Sequence, residues 1–284
     1  MTHQWLTIIT IASLSSDPHF KTFDKQLFSY HGQCDMVLTR SKSFKEGLGL
    51  AVHVRTTRVD DSRVNLSYSY ISGAAVKIGS NVFEVNEDAE LIVNGESSTY
   101  TADMVFEGLQ SIAKNLKGKK SRIIVYDFDL GNDKGIQIRV NTKNGMLFVD
   151  VNGAFQDSQG LLGAASEFAK PLLGRDGVTD LSGHWNTYGE EWQVDDSDPK
   201  LFQDMKRHPQ YPHGCVYVAD SKKTNIRGSH NRRRRRLIEA NYVSLDAATK
   251  ACAHLGDAQM KDFCVDDVMA TGDLELVEDP FYAN

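Results

Sequence analysis

Cysteine is scarce in this chain. There are four in 284 residues, Cys34, Cys215, Cys252 and Cys264, and no two form a C-x-x-C pair. That argues against zinc-ribbon and thioredoxin-like readings, which depend on closely spaced thiols. Positive charge is not in excess either. The 32 Lys and Arg are outnumbered by 38 Asp and Glu, for a formal net charge of −6, which gives no reason to expect nucleic-acid binding. No apolar run is long enough to span a bilayer as a helix. The G-x-S-x-G, H-E-x-x-H, Walker A and G-x-G-x-x-G motifs are all missing, so the sequence carries no common signature of a nucleophilic, metal-dependent or nucleotide-using enzyme. Internal repeats and long low-complexity tracts are absent as well.

What is present suits a folded core. Hydrophobic residues make up 40% and charged residues 25%, enough for one large domain or two smaller ones. Residues 17 to 160 read as short strands divided by turns. Phe20, Thr22 and Asp24 alternate with Lys21 and Phe23, and Leu27, Phe28 and Tyr30 follow the polar break at 24–26. Leu48, Leu50, Val52 and Val54 share one face of a strand, as do Val64, Leu66, Tyr68 and Tyr70. Shorter strands are expected over 74–78, 81–85 and 90–93, with a tight turn at Asn94-Gly95. Residues 121–128 return to strand, and 135–141 and 146–152 form a hairpin about Lys143-Asn144-Gly145. Residues 104–120 are ambiguous: Val105, Leu109, Ile112 and Leu116 have helical spacing, but Gly108 interrupts it. The expected fold is mainly β, with sandwich-like antiparallel sheets.

The two ends differ from this middle. Trp5 to Leu14 is mostly apolar and ends in small residues. It reads either as the tail of a secretory signal without its basic leader or as a first strand. Asp195 to Pro212 reads as a linker rich in Asp and Pro, and residues 216–236 as a basic linker ending in Arg232, Arg233, Arg234, Arg235 and Arg236. Residues 237–284 read as a small helical segment: Ala247, Ala248, Ala251, Cys252 and Leu255 share a face, with Ser244 as N-cap.

Three ordered blocks carry a family resemblance. The first is Asp17-Pro18-His19-Phe20, then Thr22-Phe23-Asp24, then Gly32-Gln33-Cys34 and an apolar strand. The second is Gly160-Leu161-Leu162-Gly163, and the third Tyr188-Gly189-Glu190-Glu191-Trp192-Gln193-Val194. In order and spacing they resemble a von Willebrand factor type D domain over residues 16–215, preceded by the 1–15 segment. Phe263-Cys264-Val265-Asp266-Asp267-Val268 resembles the helical cysteine-rich unit that follows such domains.

The resemblance implies a set of sites. The cysteine of the Gly-x-Cys element pairs with one just past the Trp-containing strand, which maps onto Cys34 and Cys215. A second family bridge has lost both ends here, since Leu162 replaces one and no cysteine precedes Asp17. Cys252 and Cys264, twelve positions apart, suit a staple between two helices. In the chain-entropy model the long loop would contribute about 5 kcal/mol and the short one about 3 kcal/mol. The rival reading is four buried thiols in a reducing compartment. Bridged cysteines point to an oxidising one, secreted or at the cell surface, and Asn65-Leu66-Ser67 is compatible as a glycosylation sequon.

The family commonly holds calcium between the Thr-Phe-Asp carboxylate and the loop after the glycine pair. Asp24 matches the first ligand. Ala164 stands where the family has Asn and Ser166 near an expected Asp, so Asp176, Asp180 and Glu167 are the substitutes on offer. Some relatives cleave themselves at Gly-Asp-Pro-His; Ser16 replaces that Gly, and a structural turn at Asp17-Pro18 is the competing reading. The Arg232–Arg236 run reads as a solvated stretch, a processing site or a polyanion-binding patch. The expected function is a non-enzymatic extracellular adhesion, matrix or protein/glycan-interaction module locked by disulfides, with no C-x-x-C for disulfide-linked multimers. A secreted calcium-dependent hydrolase and a polyanion- or lipid-binding protein are the alternatives.

Overall fold

The computed structural model describes residues 18–30, 32–61, 66–98, 106–117, 122–142, 145–153, 155, 157–164, 171–206, 215, 243–278 and 282. Among these, β1 (His19–Lys21) and β2 (Leu27–Ser29) form a small antiparallel hairpin. A six-stranded sheet follows, in sequence order: β3 (Asp35–Ser41), β4 (Leu50–Asp61), β5 (Leu66–Ile78), β6 (Asn81–Asn86), β7 (Leu91–Val93) and β8 (Glu96–Ser97). A four-stranded sheet, also in sequence order, holds β9 (Ser111–Lys117), β10 (Ile123–Gly131), β11 (Lys134–Asn141) and β12 (Met146–Asn152). Every pairing within a sheet joins sequence neighbours and is antiparallel, so short turns suffice to connect them.

Alternation decides which faces meet. Val52 and Val54 of β4, Ala74, Val76 and Ile78 of β5, and Phe83 and Val85 of β6 are buried on one face of the larger sheet. Tyr126, Phe128, Leu130, Ile136, Ile138, Val140, Leu147, Val149 and Val151 do the same on the smaller one. The two faces close on each other as a sandwich. Phe83 meets Phe128 edge-on at 5.5 Å, and the Tyr126 hydroxyl donates to the Ala89 carbonyl at 2.8 Å. The register of β4 against β5 shifts between Arg55 and Thr56. Beyond that point the two strands outrun β3 and β6, and β5 approaches β12.

One stretch left open by the sequence is settled, and another differs from the sequence expectation. The ambiguous 104–120 segment contains strand β9, paired along its length with β10. Among its described apolar side chains only Ile112 is fully buried, and Leu116 is 64% exposed; the helical spacing of Leu109, Ile112 and Leu116 does not mark one buried face. The Trp-containing block is not a strand at its start but a helix, Trp185–Glu191. It closes one end of the sandwich, where Phe28 stacks on Trp185 at 5.2 Å and on Phe20 at 5.0 Å. Only then does the chain run beside β3, with Val37 N–H donating to Trp192 at 2.8 Å and Val194 N–H to Asp35 at 2.9 Å.

The expected linker from Asp195 onward is packed as far as Lys206. It straps the outer face of the larger sheet, burying Leu201 and Phe202 against Ala51 and Ala75. Asp198 is buried and takes Arg40 at 2.5 Å and Arg175 at 2.8 Å. The helical C-terminal expectation resolves into two helices, Leu245–Ala251 and Ala258–Thr271. Ser244 caps the first and Asp257 the second, each by accepting a backbone N–H. Gly272, in the left-handed conformation (φ 63°), ends the second.

Gly189 shows how tightly the closing helix is packed. A Cβ placed there would lie 2.2 Å from the Tyr30 ring, which is itself fully buried. Gly189→Ala is therefore expected to lower the unfolding free energy by about 1–3 kcal/mol, the usual cost of overpacking a filled core. Urea denaturation of the two proteins checks this; an unchanged midpoint would contradict the packing described.

Candidate functional site

The opening motif has a structural task. Pro18 accepts the Tyr30 N–H at 3.1 Å, and Asp17 lies outside the described residues. His19 points from β1 into the interface with the C-terminal helices. Its ring stacks on Phe263 with centroids 3.7 Å apart and planes 10° from parallel. Nδ1 lies 2.8 Å from the Ser29 hydroxyl, and Nε2 is 3.9 Å from the Asp267 carboxylate. Tyr282 donates its hydroxyl to the same carboxylate. Around this centre, Val268, Met260 and Cys264 of the tail pack with Tyr70 of β5 and Met146 and Phe148 of β12. The two motif histidine and aspartate positions, so far apart in sequence, thus join the helical tail to the β body.

Ser29, His19 and Asp267 align as hydroxyl, imidazole and carboxylate, but their chemistry is not that of a triad. The ring is turned so that Nδ1, not Nε2, faces the hydroxyl. Burial lowers the His19 pKa to about 3, far from the value that makes a general base effective at neutral pH. The ring is 2% exposed and covered by Phe263.

Asp24 sits in the turn between β1 and β2. It accepts from the Thr22 hydroxyl on one oxygen and from Gln26 Nε2 at 2.7 Å on the other. Asp176 accepts the backbone N–H groups of Val178 and Thr179 at 2.9 Å and the Thr179 hydroxyl at 2.5 Å; these bonds hold its pKa below the usual carboxylate range. Asp180 accepts the Ser182 N–H at 2.9 Å. Each carboxylate fixes its own turn. No group of three or more His, Cys, Asp or Glu converges for a metal among the described residues, so these three alone do not supply a calcium cage of six or more oxygens. Glu167, Ser166, Asn65 and Arg232–Arg236 lie outside the described residues.

The cysteines are bonded Cys34 to Cys215, with Cα atoms 5.7 Å apart, and Cys252 to Cys264, at 5.9 Å. The first closes a loop of 181 residues and ties Cys215 to the residue just before β3. The second joins the two tail helices. Body and tail are each cross-linked within themselves.

A further feature went unread in the sequence. The smaller sheet has a polar outer phase that alternates with its core residues: Asp127 and Asp129 on β10, Gln137 and Arg139 on β11, Asp150 and Asn152 on β12. In the row Asp129, Gly135, Asn152 the middle position has no side chain. That gap opens into a cleft of about 600 Å³, rimmed by Gln110, Asn132, Asp133 and Lys134. Arg139 and Asp150 are buried at its base, paired at 3.1 Å, with the guanidinium 5.4 Å from the Phe148 ring. Phe148 also belongs to the tail interface, so the cleft and the tail share β12. Polar residues at every second strand position were the available signal, but the same pattern describes any solvated strand face.

A pH dependence follows from two buried rings. His53, under the strap, is lowered to about 4 by burial; Asp198 opposes this, and Arg175 and Arg40 add to it. Near His19, Asp267 would favour the charged ring, but burial outweighs it. Both folded values lie below the ordinary histidine value of about 6.5, so the unfolded chain binds more protons between them. The stability is complete above about pH 6.5 and is lost as pH falls toward the folded values. Denaturant unfolding between pH 6.5 and 4.5 should show stability falling with a slope approaching about 1 kcal/mol per pH unit for each ring. His19→Gln should remove one ring's share; an unchanged slope would contradict a neutral, buried His19.

The fold has antiparallel sandwich sheets, a bridge from the Gly-x-Cys cysteine to Cys215, and Pro18 and His19 of the opening block at the first hairpin. Disulfides of this kind fit the extracellular setting typical of type D modules, and no described helix is long and apolar enough to cross a membrane. Residues 12–169 match the family model for the von Willebrand factor type D domain, and the chain belongs to that family.

Proposed function

We propose that this chain works outside the reducing cytosol as a non-enzymatic adhesion or matrix module, presenting a rigid surface to an extracellular protein or glycan partner. The observation that carries the reading is the Cys34–Cys215 bridge, which locks the strap and the sandwich into one body over 181 residues. A cross-link of that span limits the unfolded chain, by about 5 kcal/mol in the entropy model, and keeps the binding face ordered before a partner arrives. Preorganisation of this kind lowers the cost of association. The family supports the reading, since type D domains are interaction modules. Fold alone does not carry function, so the surface itself has to be tested.

Immobilised chain, folded and with both bridges intact, is expected to retain soluble extracellular-matrix components. Reduction and alkylation should lower the retained amount at least tenfold. Turnover of peptide, ester or glycoside substrates without retention of any matrix component would contradict the proposal and favour a secreted hydrolase.

A further inference from the structure

The cleft on the outer face of β10, β11 and β12 takes no part in the disulfides, the opening motif or the packing of the tail. We propose that it is a carbohydrate-binding cleft for an uncharged oligosaccharide; the proposal rests on the module reading above and names one ligand class for it.

The first argument is the donor and acceptor balance. Four amides, Gln110, Asn132, Gln137 and Asn152, line the cleft beside four aspartates. Each amide carries both N–H donors and a carbonyl acceptor, whereas each aspartate only accepts. A sugar hydroxyl is a donor and an acceptor at once, so a set mixed in this way can satisfy it from both sides. An apolar ligand would strip water from their remaining donors and acceptors without replacing it, which is costly.

The second argument is charge. The four aspartates outnumber Lys134 and Arg139, and Arg139 is committed to Asp150 at the base. Sulfated, phosphorylated or sialylated chains meet a net negative lining and are disfavoured. The same lining attracts cations, but the four amides, Lys134 and Arg139 all offer N–H donors, which need acceptors that a guanidinium or ammonium group does not carry. A neutral ligand whose hydroxyls both donate and accept meets both kinds of group.

The third argument is size and order. A volume of about 600 Å³ falls within the range of small-ligand sites, roughly 300–1,000 Å³. The side chains around it are already held: Gln137 donates to Asp127 at 2.5 Å, Asn115 to Asp127 at 3.1 Å, and Asn152 to the Asp133 carbonyl at 2.9 Å. Little further ordering is needed on binding.

The test uses the full chain on an array of neutral, sialylated and sulfated oligosaccharides, with an oligoarginine peptide as the basic probe and calorimetry for any ligand that binds. Neutral hexose or N-acetylhexosamine oligosaccharides should bind, and the charged probes should not. Gln137→Ala, on the outward face of β11, and Gln110→Ala, at the rim just before β9, should each weaken binding at least tenfold without moving the thermal midpoint. Preference for a sulfated or sialylated chain, binding of oligoarginine, neutral binding untouched by both substitutions, or no binding of any probe would overturn the proposal. Matrix retention with no glycan binding would sink the cleft alone, while loss of both would sink the module reading with it.

Discussion

The structure depends on how the chain closes over strand β3. Asp35, at its first position, is 1% exposed and gives both carboxylate oxygens to Arg55, at 2.6 and 2.9 Å. One of those oxygens also accepts the Lys206 N–H at 2.6 Å, and the Asp35 N–H returns a bond to the Lys206 carbonyl. A carboxylate this deep must be paired, since removing a partner from such a pair leaves a charge out of water. The neighbouring residue is Cys34, bonded to Cys215. The edge of the sheet is covered by the same closure: Trp192 and Val194 pair along one stretch of β3, and Gln159, Leu161 and Leu162 along the rest. An edge strand left open would be a template for aggregation. Here it is the seam where the two ends of the domain meet.

The tail is held differently. Its own bridge, Cys252–Cys264, does not reach the body. What joins the two is a buried, mostly apolar interface around His19, Phe263 and Asp267, with Gln259 donating to the Leu27 carbonyl at 3.2 Å. The interface covers the apolar half of the smaller sheet's outer face, at Met146 and Phe148, and leaves the polar half, at Asp150 and Asn152, to the cleft. One strand, β12, therefore divides its outward positions between packing and recognition.

Much of this was legible in residue order because strands announce themselves by period two. The Leu50, Val52, Val54 face and the hairpin of 135–152 needed only alternation and a turn. The Ser244 cap needed only one side chain and one backbone N–H. Strand β9 was obscured because its apolar residues fall at helical spacing by accident, as the exposure of Leu116 shows. The helix at Trp185–Glu191 was hidden by Gly189, a poor helix residue in isolation, retained because the Tyr30 ring leaves no room for a Cβ. The strap looked like a linker because its Asp residues read as solvated, when Asp198 is in fact buried between two arginines. The cleft and the His19–Asp267 contact share one cause of invisibility. Both are set by register and tertiary approach, and no local pattern places Gly135 between Asp129 and Asn152 or brings residue 19 to residue 267.

The central claim is that two separately cross-linked units, a body closed at β3 and a helical tail, make up one extracellular-type module. Non-reducing peptide mapping by mass spectrometry, on protein made through a secretory pathway, tests it most directly. The account predicts that Cys34 is recovered linked to Cys215 and Cys252 linked to Cys264, with no free thiol. Free cysteines, or any bridge between body and tail, would contradict it.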